Sequence, residues 1–308
     1  MTLRTLAIKS VASAIKALKR AYVGLRTLWW IIMGKFRKSL TFSTRQGVFT
    51  VLLTDELGRS LYCHGQWELD LVSETLAFLR NIQRCPPKGE GTIVDIGANN
   101  GVITVGALHT GELEKAIAVE PDPQNFSLLQ RNVDQNGLRD RVVCLPYAVS
   151  DKKGELLFEL SDTNLGDHRV RTTSDLASLG PELDHESERR VIVIQSERLD
   201  TLLSTLPATM THGISLIWVD VQGYEGHVFL GARDLLSKGI PVNAEIWPYG
   251  IRRVGMSQDQ FCGITRSIWS YYCVMRRGKF VRYPIDMLDI LFDELGYDYD
   301  SAENVIFI

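Results

Sequence analysis

The sequence predicts an α/β chain whose mostly parallel sheet is covered by helices on both faces. Three observations lead there. Short apolar runs recur along the body: TIVDI (92–96), AIAVE (116–120), RVVCL (141–145), ISLIWVD (214–220) and PVNAEI (241–246). Segments with helical periodicity separate them. The runs are apolar throughout, as strands buried on both faces are. At 308 residues, with 45% apolar and 23% charged residues, the chain has the size and composition of a globular protein.

The first 54 residues differ from the body. They hold Arg4, Lys9, Lys16, Lys19, Arg20, Arg26, Lys35, Arg37, Lys38 and Arg45, and no acidic residue. All 37 Asp and Glu residues follow, so a basic arm precedes an acidic body. Residues 3–33 read as one helix. Val11, Ile15, Leu18, Tyr22, Leu25, Trp29 and Ile32 share one face. Such a helix suits a membrane surface. It equally suits packing on its own domain or on a second copy, and a basic, acid-free arm also resembles a mitochondrial targeting peptide. No apolar run approaches the roughly 20 residues that span a bilayer. Nor does a small-residue cleavage site follow, so a secretory signal is not expected. Five cysteines without a CxxC pair point to a reducing compartment. The expected location is cytoplasmic, with the arm as a peripheral membrane contact.

Residues 47–63 suggest a β-hairpin turning at 55–58. Residues 66–82 suggest a helix with Leu69, Val72, Leu76 and Leu79 on one face, ended by Pro86 and Pro87. The alternation then begins. Strand 92–96 leads to helix 100–110, strand 116–120 to helix 124–136, and strand 141–145 to strand 154–160. Residues 161–190 read as a polar loop. Strand 190–195, strand 214–220, helix 225–238 and strand 241–246 follow. Helices at 257–272 and 284–295 and a strand at 303–308 complete the chain.

Parallel sheets bind ligands beyond the carboxyl ends of their strands. The first such end reads Asp95–Ile96–Gly97–Ala98–Asn99–Asn100–Gly101. Its two glycines leave room for backbone to meet a ligand, beside free N–H groups of the next helix. The second strand ends on Glu120, about 20 residues after the glycine turn, where a carboxylate can hold ribose hydroxyls. Together they indicate a nucleoside cofactor. GxGxxG is absent, which disfavours a dinucleotide.

Five segments then resemble, in order, the motifs of the FkbM family of S-adenosylmethionine-dependent methyltransferases. They are VDIGANNGVITV, AVEPDPQNFSLLQRNVDQNGL, AVSDKKGELLF, RLDTLL and VDVQGYEGHVFLGARDLL. The resemblance implies a Rossmann-like, class I methyltransferase sheet of seven strands. It implies S-adenosyl-L-methionine as cofactor and a hydroxyl on a sugar, glycolipid or other small acceptor. It places Asp95, Gly97, Asn99 and Gly101 around the methionine and ribose, Glu120 on the ribose hydroxyls, and Ala148 beside the adenine. The family usually carries an acid where Gln222 stands here. An N-methyltransferase of the same fold, or a membrane-associated scaffold without turnover, is the alternative. The scaffold reading gains if the arm plugs the pocket.

Asp220, Glu225 and Glu245, at or just after two strand ends, would converge on the acceptor side. A hydroxyl acceptor needs a base or a metal as it attacks. His168 is a further candidate base, and no resident metal is expected. Asn164 and Arg169 in the polar loop, and Trp247 beside Pro248 and Tyr249, would contact the acceptor. Domain organisation follows: residues 1–40 a basic amphipathic helix, 41–90 a hairpin and helix leading into the core, and 91–308 the methyltransferase domain. An acidic body without interleaved basic and aromatic residues argues against nucleic acid.

Overall fold

The computed structural model describes residues 3–173, 179–183 and 185–308; within the first helix, side chains are described for Ser13 and from Lys16 onward. That helix, α1 (Leu3–Gly34), is long and comes first. The hairpin β1 (Ser39–Thr44) and β2 (Gly47–Leu52) and the helices α2 (Glu56–His64) and α3 (Leu69–Asn81) follow. Then come β3 (Thr92–Ile96), α4 (Val102–His109), β4 (Lys115–Val119), α5 (Pro123–Gln135) and β5 (Val142–Leu145). Four strands, β6 (Ala148–Val149), β7 (Gly154–Leu160), β8 (Arg169–Arg171) and β9 (Arg190–Glu197), precede α6 (Leu199–Ser204) and α7 (Ala208–Thr211). The chain continues with β10 (Ile214–Val219), α8 (Glu225–Gly231), α9 (Arg233–Leu236), β11 (Val242–Ile246), α10 (Pro248–Arg253) and α11 (Gln258–Arg266). It ends with β12 (Tyr271–Arg276), β13 (Lys279–Pro284), α12 (Leu288–Leu295) and β14 (Glu303–Phe307).

The main sheet runs β13-β12-β14-β11-β10-β3-β4-β5. Strands β5, β4, β3, β10 and β11 pair in parallel, and β14 inserts antiparallel between β11 and β12. Seven of these strands match the number expected for a Rossmann-like sheet. The eighth, β13, is a hairpin partner of β12. The strands feed two cores because successive side chains face opposite ways. Val94, Ile96, Ile217 and Val219 enter one core, and Ile93, Leu216 and Trp218 the other. A second, four-stranded sheet has the order β6-β9-β7-β8. Between β7 and β8 the segment from Asn164 to His168 folds back to the carboxyl ends of the main-sheet strands and shares a lining with them.

Several expected elements differ. The hairpin lies at 39–52, and residues 56–64 are helical. Asp55 explains the change. Its carboxylate accepts hydrogen bonds from the N–H groups of Leu57 (3.3 Å) and Gly58 (2.9 Å), an N-cap. Leu57 and Leu61, one turn apart, are then both buried. The helix expected over 257–272 stops at Arg266, and the aromatic run from Tyr271 pairs as β12. The expected loop 161–190 also contains β8 and short 3₁₀ turns at Leu165–Asp167 and Glu186–Glu188; within it, residues 174–178 and 184 lie outside the described residues.

At the junction of β10 and α8, Glu225 folds its carboxylate back onto the loop. Oε1 accepts from the N–H groups of Val221 (3.2 Å) and Gly223 (3.3 Å). The side chain is fully buried, and desolvation pushes its pKa from 4.5 up to about 8. Between those values the folded state holds a proton that the unfolded state has lost. This group therefore lowers stability as pH rises through that window. Glu225→Gln keeps an acceptor at the loop and removes the titration. The melting temperature of the variant, relative to the native protein, should rise between about pH 5 and about pH 8. A pH-independent difference would contradict this account of the loop.

Candidate active site

The carboxyl ends of β3, β4, β10 and β11 border one cavity of about 330 Å³. Asp95, Gly97, Asn99, Glu120, Ala148, Asn164, His168, Asp220, Glu245 and Trp247 all line it. No described residue of the 1–40 arm lines it.

At β3, Asp95 accepts hydrogen bonds from the Thr104 hydroxyl (2.6 Å) and the Thr104 N–H (3.1 Å). These bonds tie the strand end to the first turns of α4. Burial, and to a lesser degree the charge of Asp220, push the Asp95 carboxyl up to about 7. Gly97 has φ +84°, and a Cβ there would stand 1.9 Å from the Asp220 carbonyl oxygen. The missing side chain makes room for β10 rather than for a ligand. Gly101 does not line the cavity. It opens α4 at φ +85°, where a Cβ would meet Leu129 Cδ1 at 2.7 Å, so its role is helix packing.

At β4, the Glu120 carboxylate accepts one N–H from Asn99 and one from Asp122, each at 2.8 Å. Burial pushes it up to about 8, against the pull of those two donors. Asp122 is a helix cap: it accepts from Gln124 and Asn125 N–H, with Pro123 at the first helical position. The Asn99 side-chain oxygen is buried without a hydrogen-bond partner among the described residues.

At β10 and β11, Gln222 (φ +55°) donates to Asp220 Oδ1 at 2.6 Å and to Glu245 Oε2 at 3.4 Å. An amide thus bridges two carboxylates that repel each other. A third acid at 222 would have no proton to give them when ionised. Both carboxyls are raised by burial. Asp220, Glu225 and Glu68 raise Glu245 further, well above its ordinary value, and Gln222 opposes the rise.

Not every expected residue reaches the cavity. Glu225 braces its loop and is not in the lining. Arg169 is buried outside the lining. It pairs with Glu159 (3.0 Å), Asp167 (3.5 Å) and Glu186 (3.8 Å), and its guanidinium lies 5.1 Å from the Trp247 ring centre. A charge so engaged anchors the folded-back segment instead of contacting an acceptor. His168 lines the cavity, but its Nδ1 accepts the Ser161 N–H at 3.0 Å. The neutral ring then carries its proton on Nε2 and offers a donor, not a base. Burial lowers its pKa, which keeps it neutral. Asn164 lines the cavity while its side-chain oxygen accepts the Gly166 N–H at 3.1 Å. Tyr249 lies outside, held by the Leu183 N–H and the Glu186 carboxylate. Trp67, Tyr147, Phe158, Trp218, Tyr224 and Tyr299 join Trp247 in the aromatic part of the lining instead.

Glu68 escaped the sequence reading. It reads as a first-turn helical acid, yet it sits just before α3 at φ +50° and lines the cavity. Burial and the charges of Asp220 and Asp95 push it up to about 7. Tyr299 and Asp167 were also missed; the Tyr299 hydroxyl donates to Asp167 at 2.8 Å. Among the described residues no three His, Cys, Asp or Glu side chains are grouped to hold a metal ion.

Residues 95–299 match the family model of the methyltransferase FkbM domain. The 2-O-methyltransferase NoeI of Sinorhizobium fredii is 28% identical over 172 residues, covering 54% of this chain and 67% of that protein. The ribosomal protein L11 methyltransferase of Escherichia coli is 29% identical over 90 residues, covering 29% of this chain and 30% of that one. A crystal structure of methyltransferase FkbM from Methylobacillus flagellatus aligns with a TM-score of 0.41 and 14% identity, over 81% of this chain and 65% of that one. The match therefore spans about two thirds of the first and third of these proteins and under a third of the second. The family match runs from Asp95 on β3 to Tyr299 before β14 and takes in both sides of the cavity: the chain belongs to the FkbM methyltransferase family.

Proposed function

We propose that the chain transfers the methyl group of S-adenosyl-L-methionine to a hydroxyl of a sugar-containing acceptor. One observation carries this reading: a single cavity joins Asp95, Asn99 and Glu120 to Gln222, Glu245 and Trp247. The first group suits a nucleoside cofactor and the second a polar acceptor.

The residues fit the cofactor. Glu120 is buried and raised, with two backbone donors on its carboxylate among the described residues. A ribose diol would add the donors that stabilise its charge. The partnerless Asn99 oxygen would accept a further N–H or O–H. Ala148, small and buried, would leave space for the base. S-adenosylmethionine supplies, when bound, a methyl group activated on a sulfonium centre.

On the acceptor side, Glu245 is the favoured base. A carboxylate held well above its ordinary pKa is a stronger proton acceptor, and the hydroxyl proton must leave as the oxygen attacks. Gln222 orients Glu245 and Asp220 together. His168 contributes an N–H donor to an acceptor oxygen. Trp247 and Tyr299 offer ring faces of the kind that pack on a sugar. NoeI, by its name a 2-O-methyltransferase, supports an oxygen acceptor.

Isothermal titration with S-adenosylmethionine tests the cofactor half. Native protein should bind, and Glu120→Ala should weaken binding by roughly 10- to 100-fold, the worth of a hydrogen bond to a charged group. No native binding, or equal affinity in the variant, would refute it. Mass spectrometry of a panel of hydroxylated glycans tests the acceptor half, one added methyl group being the product. Once an acceptor is found, Glu245→Gln should cut kcat by roughly 10²- to 10⁴-fold and leave cofactor affinity unchanged. An unchanged kcat would remove Glu245 as base.

A further inference from the structure

Helix α1 has two apolar faces, and only one is covered. Trp30, 4% exposed, packs against Tyr62 of α2 with ring centres 5.6 Å apart and the planes tilted by 38°. The Arg26 guanidinium lies 3.8 Å from the same ring centre, and the Thr27 hydroxyl lies 3.5 Å from Cys63 Sγ. These contacts fix how the helix is rotated on the body. The other stripe is Leu18, Tyr22, Leu25, Trp29 and Ile32, at alternating spacings of four and three, with Phe36 in the turn just after the helix. Every one is exposed, from 37% at Ile32 to 80% at Phe36. A stripe of this size left in water on a helix whose rotation is set marks a contact surface.

We propose that this stripe docks on an anionic lipid bilayer, with the helix lying in the interface. Charge decides the occupant. Lys16, Lys19 and Arg20 flank the stripe at one end and Lys35, Arg37 and Lys38 at the other. All are exposed, and none forms an ion pair among the described residues. The first acidic residue of the chain is Asp55. Two copies meeting through this face would bring two acid-free basic arms together, which is unfavourable. An anionic bilayer supplies the opposite charge along with an apolar layer. Tyr22 and Trp29 have the apolar body and polar tip found at such interfaces. The helix lies on the surface and does not cross it: no helix among the described residues is long and apolar enough to span.

Co-sedimentation of the full chain with vesicles tests this. Native protein should pellet with phosphatidylcholine vesicles containing phosphatidylglycerol, and much less with phosphatidylcholine alone. The triple variant Leu25→Ser, Trp29→Ser, Phe36→Ser should bind about tenfold or more weakly, since it loses three apolar insertions. Its melting temperature should hold, because all three side chains are exposed. A second variant, Lys35→Glu with Arg37→Glu and Lys38→Glu, should lose the preference for phosphatidylglycerol. Raising salt from about 0.1 M to about 1 M, which shortens the screening length from about 10 Å to about 3 Å, should weaken native binding. Native protein that stays in solution with anionic vesicles overturns the proposal. So does a triple variant that binds like the native chain. A native dimer by light scattering that becomes monomeric in the triple variant assigns the stripe to self-association instead.

Discussion

The contact between Gly97 and the Asp220 carbonyl sets the shape of the site. Strands β3 and β10 are paired neighbours near the centre of the sheet, and the chain stays close just past their ends. The Asp220 N–H donates to the Ile96 carbonyl at 3.0 Å, so the pairing continues past the strands. A side chain at position 97 would stand 1.9 Å from the Asp220 oxygen. Because it is absent, Asp95 and Asp220 line the same cavity. Burial and mutual repulsion then raise the acids around them. Glycine here keeps two strand ends together, and the electrostatics of the cavity follow from that closeness.

The cavity gathers Glu68, Asp95, Glu120, Asp220 and Glu245. Its compensation comes from fixed dipoles: the N–H groups of Asn99, Asp122 and Thr104 and the Gln222 amide. Such a cavity favours a ligand rich in donors and positive charge. Attraction of a cation in the ground state does not itself speed a reaction. Rate must come from alignment of acceptor and methyl group and from the base. The folded-back segment from Asn164 to Val170 helps by lining the cavity. Asp55 holds it through the Leu165 N–H (3.1 Å), Asn125 holds it through the Leu165 carbonyl (3.0 Å), and Arg169 and Arg189 fasten it beneath.

The sheet was legible because its strands are apolar throughout and end on chemistry: Asp95, Glu120, Asp220 and Glu245. The face of α3 followed from period, and its end from Pro86 and Pro87. What escaped the sequence has physical causes. Residues 59–63 looked like a strand because the capping role of Asp55 was taken for a turn at 55–58. The edge hairpin from Tyr271 follows α11 too closely for period alone to separate them. Charge type does not reveal burial, so Arg169 looked like an acceptor contact when it is the centre of a buried ion network. The tautomer of His168 depends on Ser161, and the position of Glu68 on a left-handed residue before α3. The apolar stripe of α1 was visible, but its exposure was not. Only the docking of Trp30 on Tyr62 shows which face stays open.

The central claim is that the cavity beyond β3, β4 and β10 is one continuous site, with the cofactor on the side of Glu120 and the acceptor on the side of Glu245. A crystal structure of the protein soaked with S-adenosylhomocysteine tests it most directly. The account expects the ribose hydroxyls on the Glu120 carboxylate, and the sulfur on the side of the cavity that opens toward Glu245 and His168. A ligand whose ribose avoids Glu120, or whose sulfur is walled off from Glu245, would contradict it.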